Sequence, residues 1–259
     1  MKAGKIFFRC ANSIVDWAML SCVLVLAVFG CYGIWDSNQI YEQADKTVYE
    51  KYRPGEDTLS FEELQKINPD VFGWLTIYGT NIDYPLVQGE DNEKYVNTDA
   101  AGEFSLSGAL FLDYRNQNDF SDFNSIIYGH HMEKELMFGE LYKFEEKDYF
   151  EEHRYGEVFY EGTWHGIEFF LFLKADAYDR KIYAPLLKET EEKEEFLTYI
   201  QGNPLRSRQI DISVQDHLVL LSTCTSDITN GRHILVGKIT DEIYENPFDK
   251  ESGKKNDSR

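Results

Sequence analysis

The chain has 259 residues, 42% of them hydrophobic and 15% aromatic, which suits one globular domain of ordinary size plus an appendage. Its formal net charge of −20 excludes a partner held by phosphate neutralisation, because that chemistry needs clustered Lys and Arg. With 18 Gly and 6 Pro it is neither collagen-like nor low-complexity, and the aromatic content argues against global disorder.

Trp17 to Trp35 is a run of 19 residues without a charged side chain. A helix of that length spans roughly 28 Å, about the hydrocarbon core of a bilayer. Lys2, Lys5 and Arg9 precede it, so the positive-inside rule leaves the N-terminus in the cytoplasm and residues 36–259 outside. The outer part then carries about −22, once Lys2, Lys5, Arg9 and Asp16 are set aside. A cleaved signal peptide is the competing reading, but Ala27 and Gly30 make a weak cut site. The expected layout is a cytoplasmic N-terminus (1–13), a transmembrane anchor (14–35), a helical linker (36–59), a folded outer domain (60–248) and a disordered tail (249–259).

Residues 37–53 read as a helix, with Ile40, Ala44 and Val48 at helical spacing and Pro54-Gly55 as its stop. Ser60 and Glu63 form a candidate capping box for a short helix that ends at Asn68-Pro69. After that the texture is mostly strand. Val71–Tyr78, Ile82–Val87, Leu106–Leu112, Ser125–Tyr128, Glu157–Tyr160, Glu168–Tyr178, Leu218–Thr223 and His233–Thr240 are short runs rich in β-branched and aromatic residues. Eight such strands point to a closed barrel or a sandwich. Helical interludes are expected at Leu136–Tyr142, Lys147–His153 and Glu189–Ile200; the last has an acidic outer face over Phe196, Leu197 and Ile200.

Three of the four cysteines lie in or beside the apolar run, so the outer part holds one, Cys224. An unpaired extracytoplasmic cysteine is either an inert core residue or a reactive thiol. Cys224 ends the buried run Leu218–Thr223, and Arg232 opens the next strand after an Asn230-Gly231 turn. Antiparallel pairing would bring both to one rim, where an arginine can lower a thiol pKa or hold an oxyanion. The plain alternative is a surface Arg232 bonded to Asp227.

A thiol nucleophile needs a proton partner. His130 follows Ser125–Gly129, a strand running into a turn, where a side chain is both exposed and held. His153, His165, His217 and His233 read as surface residues. No His-x-x-x-His, C-x-x-C or Gly-rich phosphate loop occurs, so neither metal nor cofactor is expected.

These stretches together resemble a sortase, the cysteine transpeptidases of Gram-positive cell surfaces, and within them class B. Leu221-Ser222-Thr223-Cys224-Thr225 is similar to the family's Thr-Leu-x-Thr-Cys strand end, with Ser222 in place of a bulkier residue. Arg232, eight residues on, matches the family's arginine. Tyr128-Gly129-His130-His131-Met132 followed by Met137-Phe138-Gly139 resembles the class B histidine segment, and Gly108 to Asn116 is also class B-like. The likeness covers roughly residues 60–245.

The resemblance implies an eight-stranded sortase-type β-barrel with added helices, behind a single membrane helix. It implies cleavage of an Asn-Pro-x-Thr-x-type sorting signal after Thr by Cys224, with Arg232 holding the oxyanion and His130 moving the proton. The thioacyl-enzyme would pass to an amine of peptidoglycan; a pilin Lys amine is the alternative acceptor. The competing class is a non-catalytic, membrane-tethered binding module. Tyr178, Ile182 and Tyr183 are expected to wall the substrate groove, and Thr225 and Ser226 to lie beside the oxyanion. Asp113, Tyr114 and Asn116 either line the groove or form a turn. Free Cys and His titrate near roughly 8.5 and 6.5, so a neutral pair dominates at neutral pH and slow turnover follows.

Overall fold

The structure is a computed structural model describing residues 2–55, 59–224 and 230–249. The chain divides into two compact units, Met1–Glu42 and Gln43–Arg259.

The first unit is the greater part of helix α1 (Lys2–Ala44). Within it Val15–Ala44 is long and apolar enough to cross a membrane. Its large apolar side chains stand in the open: Trp17, Leu24, Leu26 and Phe29 are all more than half exposed. α1 runs on past Trp35 to Ala44, so the separate helix expected over 37–53 is not formed. No Gly or Pro interrupts Asp36–Ala44, and the break falls at Asp45 instead. There the Asp45 carboxylate accepts the Thr47 N–H at 2.9 Å and starts a 3₁₀ turn, Lys46–Val48, followed by another at Glu50–Tyr52.

Among the described residues the second unit is built on nine strands: β1 (Val71–Ile77), β2 (Asp83–Val87), β3 (Leu110–Leu112), β4 (Asn124–Tyr128), β5 (Tyr155–Tyr160), β6 (Thr163–Asp176), β7 (Arg206–Ser207), β8 (His217–Cys224) and β9 (Gly231–Thr240). Their order is β5-β1-β2-β3-β4-β8-β9-β6-β7, and β5 also pairs with β6. That last pairing closes eight of them into a barrel, which leaves those eight without a free edge. β7 lies beside the far half of β6, through Leu171 and Phe172.

β8, which ends at Cys224, is buried on both faces over residues 218–223. Val219 and Leu221 join the barrel interior with Trp74, Tyr84, Phe169 and Leu235. Leu218 and Leu220 face the other way, into a second core with Ile126, Leu171, Ile234 and Val236. Helix α4 (Thr190–Gln201) seals that second core with Phe196 and Ile200, both nearly fully buried. The unbroken apolar run of β8 therefore follows from two cores, one for each parity of the strand. α4 starts with a capping box in which the Glu189 and Glu192 side chains each bond the other's backbone N–H.

Several expectations shift in detail. Leu106–Leu112 pairs only over Leu110–Leu112, because Ser105 to Gly108 closes a hydrogen-bonded turn first. Leu136–Tyr142 is replaced by a 3₁₀ helix, Gly139–Glu145, while α3 (Lys147–Glu152) forms as expected. Ser60 lies inside the first turn of α2 (Leu59–Ile67) rather than capping it. His153 and His233 are buried, not surface residues. The His153 ring stacks on Tyr149 at 3.7 Å, its Nδ1 meets the Tyr149 carbonyl at 2.9 Å, and Phe248 stacks beside it at 5.0 Å. The tail beyond Asp249 lies outside the described residues.

Candidate active site

The barrel topology brings three strand ends to one rim. β4 and β8 run parallel, with Tyr128 opposite Ser222, and the Gly129 N–H donates to the Ser222 carbonyl at 3.2 Å. β8 and β9 run antiparallel, and their last pair is Cys224 opposite Arg232. Hence His130, two residues past the end of β4, comes to the same rim as the Cys224–Arg232 pair. A cleft of about 420 Å³ opens there, lined by Asn92, Val96, Phe111, Tyr128, Gly129, His130, Ala177, Tyr183, Ser222, Thr223 and Arg232.

His130 is half-buried, and its Nε2 lies 2.8 Å from the Val96 carbonyl. A carbonyl can only accept, so Nε2 carries the proton and Nδ1 is left to exchange one. The segment beyond it folds back as a tight loop. The Phe138 N–H donates to the His130 carbonyl at 3.0 Å, and His131 bridges Met137. Two glycines permit this closure. A Cβ on Gly129 would stand 2.5 Å from Leu110 and 2.6 Å from Phe138, and one on Gly139 would stand 2.0 Å from the Met132 carbonyl oxygen.

Arg232 is half-buried and shares the β9 face of Ile234 and Val236. Its Nη1 donates to the Gly231 carbonyl at 3.0 Å. The contact to Asp227 weighed for it lies outside the described residues.

The remaining expected site residues divide. Tyr183 walls the cleft: its hydroxyl lies 2.9 Å from Ser222 Oγ, and its ring stacks on Tyr128 at 6.2 Å. Tyr178 is 78% exposed and lines an adjoining depression that shares Ala177 and Tyr183 with the cleft. Ile182 is 2% exposed, and its side chain packs in the second core rather than facing the cleft. Thr225 and Ser226 lie outside the described residues. Asn116 holds the turn after β3, accepting the Ile126 N–H at 3.1 Å and donating to the Asn124 carbonyl at 2.9 Å. Tyr114 is half exposed and Asp113 is fully buried behind the cleft.

Asn92, Val96 and Phe111 were not anticipated. Asn92 lies in a bend and Val96 ends a short 3₁₀ turn, Lys94–Val96; both reach the cleft only through tertiary folding, and no local spacing marks them. Tyr128 and Ser222 do have a local signal, since each lies two residues before His130 or Cys224.

A closed barrel that sets a strand-end cysteine beside an arginine, with a histidine across one cleft, is the layout of a cysteine acyl-transfer enzyme. No protein-family model matches the chain. The sortase B of Listeria monocytogenes is 36% identical over 191 residues, covering 71% of this chain and 76% of that protein. Among solved structures, a sortase B from the type II pilus of Streptococcus pneumoniae is 47% identical, with a TM-score of 0.62, over 70% of this chain and 99% of that one. A Streptococcus pyogenes class B sortase involved in pilus biogenesis is 41% identical, with a TM-score of 0.64, over 69% and 97%. The chain belongs to the class B sortases and is a cysteine transpeptidase.

Proposed function

We propose that this sortase cuts an Asn-Pro-x-Thr-x-type signal after Thr and passes the acyl group through Cys224 to an amine. Cys224 gives its thiol proton to His130 Nδ1, its sulfur attacks the Thr carbonyl carbon, and the resulting oxyanion is held by Arg232. His130 protonates the departing amine through Nδ1, the C–N bond breaks, and a thioester remains on Cys224. The incoming amine gives its proton to His130 as it attacks, and the thiolate leaves. The observation that carries this reading is the ladder pair Cys224–Arg232 with His130 across the same cleft. In the same reading Tyr183 walls the peptide groove, Tyr178 extends it, Ile182 anchors the segment from below, and the catalytic domain spans 60–248.

We assign residues 14–35 as a membrane anchor with the N-terminus cytoplasmic and the barrel outside. α1 is long and apolar enough, and its basic residues precede the span.

For the acceptor, an amine of peptidoglycan is the first reading. A pilin Lys amine is the second, favoured by the higher identity to the two pilus-linked structures, 47% and 41%, than to the Listeria protein, 36%. Incubation of the enzyme with an Asn-Pro-Ala-Thr-Ala peptide and either a glycyl or a lysyl amine separates them. A product joined only through the Lys side chain supports pilus assembly, and one joined only to the glycyl amine supports wall anchoring. No joined product with either amine contradicts the transfer step.

A further inference from the structure

Behind the cleft, just past the end of β3, lies one carboxylate with five donors on it. The Asp113 side chain is 0% exposed. Its Oδ1 accepts the Arg115 backbone N–H at 3.0 Å and Arg115 Nε at 2.8 Å. Its Oδ2 accepts Arg115 Nη2 at 2.8 Å, Asn92 Nδ2 at 3.0 Å and the Tyr128 hydroxyl at 2.9 Å. The three Arg115 bonds are local to the turn, which the Asn116 N–H also closes on the Asp113 carbonyl at 2.9 Å. The other two reach out of the turn to Asn92 and Tyr128, which line the cleft while Asp113 does not.

From Tyr128 the contacts continue toward the nucleophile. Its ring lies between Phe111, at 5.3 Å, and Tyr183, at 6.2 Å. The Tyr183 hydroxyl meets Ser222 Oγ at 2.9 Å, and Ser222 is two residues before Cys224. Burial would raise the Asp113 carboxyl, but the hydrogen bonds from Arg115, Asn92 and Tyr128 outweigh it and hold the group below the usual carboxylate range. Burial, with Asp113 next in importance, pushes the Tyr128 hydroxyl well above the usual phenol range, so it remains a donor.

We propose that Asp113 is a positioning residue: it grips Asn92 and Tyr128 from behind and so sets the wall that meets the peptide beside Cys224. This rests on the transpeptidase reading of the cleft. It differs from a purely structural role, which would act on the folded fraction and leave the properties of each folded molecule alone.

The test is a double-mutant cycle on the full chain in detergent, with Asp113→Asn, Tyr128→Phe and the pair. Turnover of an Asn-Pro-Ala-Thr-Ala peptide is normalised to folded protein, and Kd for the same peptide is measured in a Cys224→Ala background. Each single change is expected to raise KM and Kd about tenfold, the scale of one lost charge-assisted hydrogen bond. The pair is expected to be no worse than the worse single change, because both cut the same bond. Multiplying effects, or a lowered Tm with wild-type KM and Kd, overturn the proposal. If Asp113→Asn does not fold, Tyr128→Phe decides, since it keeps the ring and removes only the hydroxyl; unchanged KM and Kd there overturn it. Failure of wild-type turnover instead counts against the transpeptidase reading, and the Kd arm still tests Asp113.

Discussion

Arg232 and Cys224 are partners in the β8–β9 ladder, so a charge at 232 is fixed by a rigid element rather than by a loop. A planar guanidinium offers several donors in a fork, and a lysine ammonium offers a point charge. Arg232→Lys is therefore expected to cut kcat by roughly 10²- to 10³-fold, the scale of one lost oxyanion donor, with little change in Tm. Steady-state kinetics beside a thermal melt check both halves. Asp113 gives a pH prediction. Its carboxyl titrates lower folded than unfolded, so its contribution to stability is complete above pH ~4 and is lost as pH falls through the folded value. The fall in Tm between pH 5 and 3 is expected to be shallower in Asp113→Asn than in wild type. An equal fall in both would show that Asp113 is not held ionised. Cys224, His130 and Arg232 were legible as candidates because each lies within two residues of a strand end inside a local motif. Asn92 was illegible because a tertiary hydrogen bond to Asp113, 21 residues away, is what gives it its place. Ile182 and Tyr183 looked alike in sequence, yet adjacent side chains diverge, one into the second core and one into the cleft.

The elements that hold the site are as constrained as the site itself. The loop after β4 needs Gly139, as well as Gly129, because Gly139 lets the Met132 carbonyl approach. Gly139→Ala forces that carbonyl away and with it the segment that starts at His130. A misplacement of about 1 Å can cost roughly 100-fold, so kcat/KM is expected to fall by about that factor. Wild-type kcat/KM in this variant would show that the loop does not position His130. α4 carries a stability prediction instead. Phe196 is buried against Phe123 at 6.0 Å, edge-on, and Phe196→Ala is expected to cost about 3–5 kcal/mol in denaturant unfolding. Strand existence was legible here because β-branched and aromatic runs alternate with turn residues. β7 was not, since two residues carry no period and pair only where β6 runs on beyond its pairing with β5.

Across the whole molecule, the division at Glu42–Gln43 separates an apolar helix from a barrel with its own cores. The fold of the barrel was legible as eight strands, while the course of the helix past Trp35 was not, because nothing in Asp36–Ala44 announces where a helix without a breaker will stop. If the helix serves only as an anchor, removing residues 1–35 is expected to move the protein from the membrane to the soluble fraction with Tm within a few degrees of the full chain. A soluble fraction that is unfolded by circular dichroism would show instead that the helix is part of the catalytic unit.

In the proposed mechanism Cys224 becomes acylated at the Thr carbonyl of its substrate. Intact-mass measurement of the full chain after incubation with an Asn-Pro-Ala-Thr-Ala peptide tests it most directly. An adduct ending in Thr is expected, mapped to Cys224, absent in Cys224→Ala and discharged when an amine is added. Peptide cleavage without any adduct on Cys224, or an undiminished rate in Cys224→Ala, would contradict it.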